Sequence, residues 1–378
     1  MELVVRKSDL LKELSLLQGI VERKNTIPIL ANVLLEAGPD AVSLLATDLD
    51  VGLRSRCEAT VTKPGTVTLP AKKLFEIVSA LPDTDVRLTE DKGGKSVTIA
   101  ADRFESRMQT LPPSEFPTPP DDAGADAASL AGGTLKRMIA YTRFAITSED
   151  TRYFLNGAQL VLDASSMSMV ATDGHRLAFV RMEAESGVSG KMEVLLPRKT
   201  LNEIARLLDG EDAVQFSQGE NHVFFRAGGR LLISRKIDAN FPAYERVIPK
   251  TNDKRIEFDR DRLAAAVRRV RLLSNERSKA VKFVIGKDQV EITSSTPDLG
   301  EAHEVLPVDY GGETLQICFN ADYVDNFLAV VDTENVSLEF KDEMSQAVVK
   351  PVGAEGYDYT YVIMPSALRR SLPYYSNE

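Results

Sequence analysis

Tryptophan is absent, and histidine and cysteine are scarce: His175, His222 and His303, with Cys57 and Cys318 far apart. Two isolated cysteines make neither a disulfide framework nor a ligand-spaced cluster, so a reducing, cytoplasmic setting is expected. Three scattered histidines lack metal-ligand spacing. No apolar run approaches the ~18 residues of a membrane span, and Met1–Arg6 has no basic segment leading into an apolar one, so no secretory signal is expected. Positive charge is also in deficit: 46 Lys and Arg stand against 56 Asp and Glu, a net charge of −10. A protein that grips nucleic acid over a broad basic surface has the opposite balance.

Catalytic signals are missing as well. Gly93-Gly-Lys-Ser96 ends like a phosphate loop, but Thr89 stands where its first glycine belongs, and a polar hairpin turn is expected instead. Gly187-Val-Ser-Gly190 has the wrong spacing for a nucleophile elbow. Asp48, Asp50 and Asp173 are carboxylates after apolar runs, which is turn chemistry. No catalytic residue, metal or cofactor is expected, and the chain does not read as an enzyme.

What is present is an ordinary globular composition, 43% apolar and 27% charged over 378 residues, long enough for two or three domains. It is also repetitive, with a spacing of about 125 residues. Leu69-Pro-Ala-Lys-Lys-Leu-Phe-Glu-Ile-Val-Ser-Ala-Leu81 is echoed by Leu196-Pro-Arg-Lys-Thr-Leu-Asn-Glu-Ile-Ala-Arg-Leu-Leu208 and faintly by Phe319–Val331. Ala46-Thr-Asp48 returns as Ala171-Thr-Asp173 and, degenerate, as Ser294-Ser-Thr296. A helical pattern opens each unit, at Ser8–Val21, Thr134–Tyr141 and Asp261–Leu273, making Leu10, Leu135 and Leu263 equivalent. Ser8 and Thr134 are the expected N-caps. Pro-rich Pro112–Asp126 and Phe241–Asn252 are the linkers. The expected fold is α+β: three modules, 1–120, 128–248 and 253–378, each with two helices and about eight short strands.

Several motifs together resemble the bacterial DNA sliding-clamp family, the β subunits of DNA polymerase III. They are Arg152-Tyr153, Leu155-Asn-Gly157, Ala171-Thr-Asp-Gly-His-Arg-Leu-Ala178, Phe241-Pro242, Arg246-Val247 and Tyr361-Val-Ile-Met-Pro365. The resemblance implies clamp-type modules, helices packed on antiparallel sheets, in a head-to-tail homodimeric ring around double-stranded DNA without regard to sequence. It implies a processivity factor that tethers the replicative polymerase and recruits the clamp loader and other clamp-motif proteins through a peptide pocket, with no membrane involved. Topological retention accounts for the acidic balance, because tight phosphate contacts would impede sliding. The alternative is a triplicated α+β ligand-binding or scaffold protein that never encircles DNA.

The resemblance also assigns residues. DNA contacts fall on Arg23, Lys24, Lys72, Lys73, Arg137, Arg152, Tyr153, Arg198, Lys199, Arg268 and Arg269. Partner tails resembling Gln-Leu-x-Leu-Phe meet Leu155, Thr172, Gly174, His175, Arg176, Leu177, Pro242, Arg246, Val247, Asn320, Tyr323, Met344, Val362, Met364 and Pro365. The dimer seam joins Lys73, Arg103, Arg107 and Met108 to Leu272, Leu273, Glu301 and Glu304, with Met108 packing on the two leucines. Ser278, Ser366 and Ala367 depart from the family pattern, and Arg369–Glu378 extends past its usual end.

Overall fold

The computed structural model describes residues 1–21, 27–122, 127–147, 150–188 and 190–366, with backbone alone at 150–151. Arg23, Lys24, Ala367 and the Arg369–Glu378 extension lie outside the described residues.

The element order repeats three times. First come β1 (Glu2–Arg6), α1 (Lys7–Ile20), β2 (Asn32–Ala37), β3 (Ala41–Thr47), β4 (Val51–Lys63), β5 (Gly65–Pro70), α2 (Ala71–Ala80), β6 (Asp85–Glu90), β7 (Ser96–Ala101) and β8 (Phe104–Gln109). The same order follows in β9 (Ala128–Ala131), α3 (Gly132–Thr142), β10 (Gly157–Asp163), β11 (Ser166–Thr172), β12 (Arg176–Glu183), β13 (Met192–Pro197), α4 (Arg198–Leu207), β14 (Ala213–Gln218), β15 (His222–Ala227) and β16 (Arg230–Arg235). It returns in β17 (Lys254–Asp259), α5 (Arg260–Val270), β18 (Ala280–Gly286), β19 (Gln289–Thr296), β20 (Gly300–Pro307), β21 (Leu315–Asn320), α6 (Ala321–Leu328), β22 (Asn335–Phe340), β23 (Ala347–Val352) and β24 (Tyr357–Ile363).

Equivalent side chains occupy equivalent places. Leu10, Leu135 and Leu263 are each the fourth residue of the first helix of a repeat; Leu74, Leu201 and Val324 are each the fourth of the second. All six are buried. A fourth-residue apolar anchor, one turn in, faces the sheet below and fixes which stripe of the helix is covered. In α5 that stripe runs Leu263, Ala264, Ala266, Val267 and Val270.

The helix starts differ from the sequence expectation. Neither Ser8 nor Thr134 is a cap: Ser8 lies in the first turn of α1, where its hydroxyl donates to Asp9 Oδ1 at 3.2 Å, and Thr134 lies inside α3. The side-chain caps are Asp259, whose Oδ1 accepts from Arg262 N at 2.8 Å, and Asn320, whose Oδ1 accepts from Asp322 N at 2.9 Å. Each satisfies an otherwise orphaned helix N–H.

Packing groups the chain into two compact units. The first holds residues 1–136 and 185–238, where one sheet runs β8-β7-β6-β1-β4-β16-β15-β14-β9, with β2, β3 and β5 attached through β4. The β4–β16 pair is antiparallel, with Ile233 opposite Gly52 and Ser234 opposite Val51, and it joins the first repeat to the second. Ions sit beneath this seam. Arg230, at 5% exposure, donates from Nε and Nη2 to both oxygens of Glu13, itself 5% exposed, at 2.8 and 2.7 Å, and its Nη1 reaches Glu211 at 3.3 Å. Nearby, Arg206 Nη2 donates to Ser15 O at 2.6 Å. Gly19 lets α1 approach this group; a Cβ there would come within 2.1 Å of Glu203 Oε2.

The second unit holds residues 137–184 and 239–378. There β10-β11-β12-β24-β23-β22-β17 run side by side, and β12 pairs with β24, Leu177 opposite Val362, joining the second repeat to the third. Tyrosines pack here: Tyr141 stacks on Tyr359 at 4.6 Å, and Phe327 on Tyr361 at 5.3 Å. A separate sheet runs β20-β19-β18-β21.

Candidate nucleic-acid and peptide interfaces

Helix residues carry most of the cations expected to face DNA, and acids of the same chain hold many of them. Lys72 and Lys73 project from α2 with side chains 65% and 69% exposed, reaching Glu76 at 3.9 and 2.6 Å. Arg137 lies 5.9 Å from the centre of the Tyr357 ring and 4.0 Å from Asp332. Arg198 is half-buried at the start of α4. Lys199 donates to Ile20 O at 2.9 Å and to Asp48 Oδ2, which ties it into the first unit. On α5, Arg268 meets Asp325 at 2.6 Å, and Arg269 makes a two-pronged contact with Glu304. Asp322 and Asp325 on α6 thus have a place: with Arg268, Arg271 and Lys279 they form a network that trims the basic excess of α5. Tyr153 is 58% exposed and meets Phe154 edge-on at 6.0 Å, so it is a surface ring and not core.

The turn between β11 and β12 is built by its own side chains. Thr172 Oγ1 donates to Arg176 O at 2.6 Å and accepts from Gly174 N at 3.1 Å. Asp173 Oδ1 accepts from His175 N at 2.9 Å and Arg176 N at 3.0 Å. Gly174 has φ +86°, and a Cβ on it would lie 2.7 Å from Arg152 Nη1, so both backbone and space require glycine. The expected contact role of Arg176 needs correction. Its Nε meets Asp173 Oδ2 at 3.0 Å, Nη1 donates to Asn326 at 2.8 Å and Nη2 to Phe144 O at 2.5 Å, while Tyr323 stacks 4.3 Å from the guanidinium. Each nitrogen has a partner inside the protein, so Arg176 braces the turn. Asn320 likewise lends its oxygen to the cap of α6.

Around this turn the predicted residues divide by exposure. Leu155, Leu177 and Val362 are buried, and Val170, Leu177, Val348 and Val362 form a cluster on which Phe241, Tyr244 and Ile248 pack. The expectation that a peptide rests directly on Leu177 and Val362 is corrected accordingly, since the chain's own segment seals them. Open apolar surface comes from Val247 (42%), Met364 (41%) and Met344 (74%), beside exposed Pro242, Arg246 and His175. Thr172, Tyr323 and Pro365 are half-buried. Met364 is held by backbone, its N–H donating to His175 O at 2.9 Å, and Ser366 N anchors on Cys318 O at 2.8 Å.

The seam residues lie on two open edge strands, which carry Arg107, Met108, Glu301 and Glu304, and on the turns and helix beside them, which carry Lys73, Arg103, Leu272 and Leu273. β8 ends one sheet and β20 another. Met108 is buried under its own sheet, so it does not pack on Leu272 or Leu273; Phe104, 42% exposed on β8, is the apolar group presented there. The sequence reading missed Phe104, although an aromatic next to a strand start was visible. Leu272 is 75% exposed and Leu273 half-buried. Arg103 and Glu301 are exposed, Lys73 and Glu304 carry the in-chain partners given above, and Arg107 reaches Asp91 at 2.8 Å. Hydrogen bonds from Ser96 and Arg107 hold the Asp91 carboxyl at about 2. This is the hairpin turn that the Gly93-Gly-Lys-Ser96 run was expected to form, with Gly94 at φ +66°. The cysteines have no acidic thiol: burial pushes Cys57 up to about 12 and Cys318 upward.

A thrice-repeated pair of helices on antiparallel sheets, joined edge to edge between repeats, defines a clamp-type protein. The comparisons with known proteins agree. The DNA polymerase III beta subunit matches by domain, its N-terminal domain over residues 1–120, central domain over 129–243 and C-terminal domain over 245–367. The beta sliding clamp of Pseudomonas putida is 37% identical, covering 97% of this chain and 100% of the relative, and that of Caulobacter vibrioides is 38% identical over 97% and 99%. Among solved structures, the beta subunit of Pseudomonas aeruginosa superposes with a TM-score of 0.90 at 35% identity. A sliding clamp of Bartonella birtlesii bound to griselimycin gives 0.92 at 34%; each covers 97% of this chain and 100% of the other. The chain belongs to the DNA polymerase III beta-subunit family, the bacterial beta sliding clamps. Among the described residues no helix is long and apolar enough to cross a membrane.

Proposed function

We propose that this protein is a DNA sliding clamp, a non-catalytic processivity factor that works as a head-to-tail dimeric ring around duplex DNA, tethering the replicative polymerase and receiving the clamp loader. Its modules are 1–120, 128–248 and 253–378, and its setting is the bacterial cytoplasm. The observation that carries the reading is the pattern of seams. β4 pairs with β16 and β12 with β24; the third member of the series, β20, is an open edge, and so is β8. A second copy of the chain completes the series twice, which closes a C2 ring and covers the β8 and β20 edges. Light scattering should give about twice the 41.6 kDa of one chain; a monomer at micromolar concentration would reject the ring.

DNA contacts are assigned to the exposed cations Lys72, Lys73 and Arg137 and to half-buried Arg152 with Tyr153, whose ring can stack on a base. Arg23 and Lys24 belong to this set by resemblance to the family. Arg198, Lys199, Arg268 and Arg269 add to the same positive field, with Lys199, Arg268 and Arg269 also paired to neighbouring acids. Weak, partly compensated charge suits a ring that must slide.

The peptide site is the surface of Val247, Met344 and Met364, framed by the Thr172–Leu177 turn, with Pro242, Arg246, His175, Tyr323 and Pro365 around it. Burying two large apolar side chains supplies ~3–5 kcal/mol before ordering costs, so one tail binds in roughly the micromolar range. Met364→Ala should weaken a Gln-Leu-x-Leu-Phe peptide by about tenfold, one to two kcal/mol of lost contact, while the dimer stays intact. Equal affinity for both proteins, measured by calorimetric titration, would move the partner site elsewhere.

A further inference from the structure

The stretch that follows the last strand of a repeat does the same thing twice. In the first repeat it starts at Leu111, whose N–H donates to Thr68 Oγ1 at 3.1 Å. Thr68 stands opposite Leu34, Leu34 opposite Leu45, and Leu45 opposite Arg54, one row across β5, β2, β3 and β4. The stretch follows that row. Phe116 joins Leu45 in a buried cluster on which Leu34 and Leu111 pack, and Asp121 meets Arg54 at 3.0 Å. In the second repeat it starts at Ile237, whose N–H donates to Leu195 O at 3.0 Å. Further along, Phe241, Tyr244 and Ile248 pack on the cluster that holds Val170. Tyr244 stacks on Phe179, the residue opposite Val170, with ring centres 5.4 Å apart. Each stretch thus lays an aromatic ring on one face of a sheet.

The third repeat makes the same start. Ser366 N donates to Cys318 O at 2.8 Å, as Ile237 N does to Leu195 O. The corresponding row runs Cys318, Lys282, Thr293 and His303 across β21, β18, β19 and β20. Along it lies an open groove of about 440 Å³, lined also by Glu291, Ser295 and Glu301. Glu291, half-buried, has no ion-pair partner among the described residues. Val284 and Val305 stand opposite Glu291 on either side, and Val305 is 48% exposed.

We propose that Ala367–Glu378 is the third member of this series, a strap of this chain that crosses the groove from Cys318 toward β20. Twelve residues follow Ser366. Extended, they reach about 40 Å, whereas four strands are only about 14 Å across. The first stretch makes the same crossing between Leu111 and Asp121. The composition fits as well. Pro373 holds Leu372 extended, and Tyr374 and Tyr375 supply the ring that Phe116 and Tyr244 supply in the other repeats. This face is more polar than its counterpart in the first repeat, with Lys282 and Thr293 where Leu34 and Leu45 stand, and it carries two acids to one lysine. The segment is correspondingly basic. Arg369 and Arg370 bring positive charge to Glu291, and a tyrosine ring covers Val305. The strap closes the groove to partner proteins and does not depend on the proposed peptide site.

The test compares the full-length chain with one ending at Ala367, with valine and methionine methyl groups labelled. Shortening should shift the Val284 and Val305 signals and leave Val247, Met344 and Met364 in place. Tyr374→Ser with Tyr375→Ser should move Val305 in a chain of full length, which separates lost contact from any effect of shortening. The acetylated peptide Leu368–Glu378, added to the shortened chain, should return Val305 toward its full-length position at roughly millimolar concentration. Glu291→Lys should weaken that binding by about fivefold, as the loss of one exposed ion pair does. Val284 and Val305 signals that are identical in the full-length and shortened chains would overturn the strap. Shifts confined to Val247, Met344 and Met364 would also overturn it and place the segment on the peptide site. Peptide affinity unchanged by Glu291→Lys would overturn the assignment to this groove.

Discussion

Arg230→Ala should destabilise the first unit by about 3–5 kcal/mol, the cost of stranding a buried carboxylate. Arg230 and Glu13 are both 5% exposed, and the guanidinium meets both Glu13 oxygens while also reaching Glu211. Removing the arginine leaves Glu13 charged and without that partner beneath the β4–β16 seam. The expected readout is a large drop in the urea midpoint at fixed protein concentration, since dimerisation also contributes to apparent stability. Replacing both partners, Glu13→Leu with Arg230→Met, should recover most of the loss, because an apolar pair avoids the desolvation penalty. A single mutant within about 1 kcal/mol of wild type would show that the pair is solvated in solution.

Leu272→Glu should convert the dimer to monomers. Leu272 is 75% exposed on the turn after α5, so the substitution leaves the fold of the chain intact and puts a charge where a second copy would bury a leucine. Leu273, half-buried, is the poorer probe because its loss perturbs the chain itself. The seam's register follows from the repeat. Phe104 follows its hairpin turn as Arg230 does, and Ser294 lies opposite Ala302 as Ala46 lies opposite Leu53. Carrying the β4–β16 register across sets Arg107 of one copy opposite Glu301 of the other, and Phe104 opposite Glu304. Arg107→Glu should therefore weaken the dimer, and Glu301→Arg added to it should restore part of the loss; two losses that simply add would reject this register.

Much of this was legible in sequence because it is local. The fourth-residue anchors Leu10, Leu74, Leu135, Leu201, Leu263 and Val324 follow from helical spacing after a strand. The Asp48 and Asp173 turns follow from a short carboxylate bonding to N–H groups two and three residues on. The sequence reading failed where distant residues decide. Nothing near Met108 says that its face of β8 is covered while Phe104 stays open. The sealing of Leu177 and Val362 depends on how Phe241, Tyr244 and Ile248 fold back. The neutralised arginines of α5 depend on distant acids: Arg268 on Asp325 of α6, 57 residues away, and Arg269 on Glu304 of β20, 35 residues away. Arg176 was assigned to the peptide site by resemblance, and its contacts with Asn326 and Phe144 O, from distant parts of the chain, could not be read locally. Asp259 and Asn320 were readable as caps, each directly preceding its helix, and were passed over for Ser8 and Thr134.

Topological retention tests the central claim most directly. The protein is assembled by a bacterial clamp loader on nicked circular plasmid, separated from free protein, and the plasmid is then cut once. The ring predicts that the protein travels with circular DNA through a sizing column at moderate salt and is released by the single cut, with Leu272→Glu failing to remain on either form. Equal retention on circular and linear DNA, lost from both alike as salt is raised, would mean that the protein holds DNA by surface charge and does not encircle it.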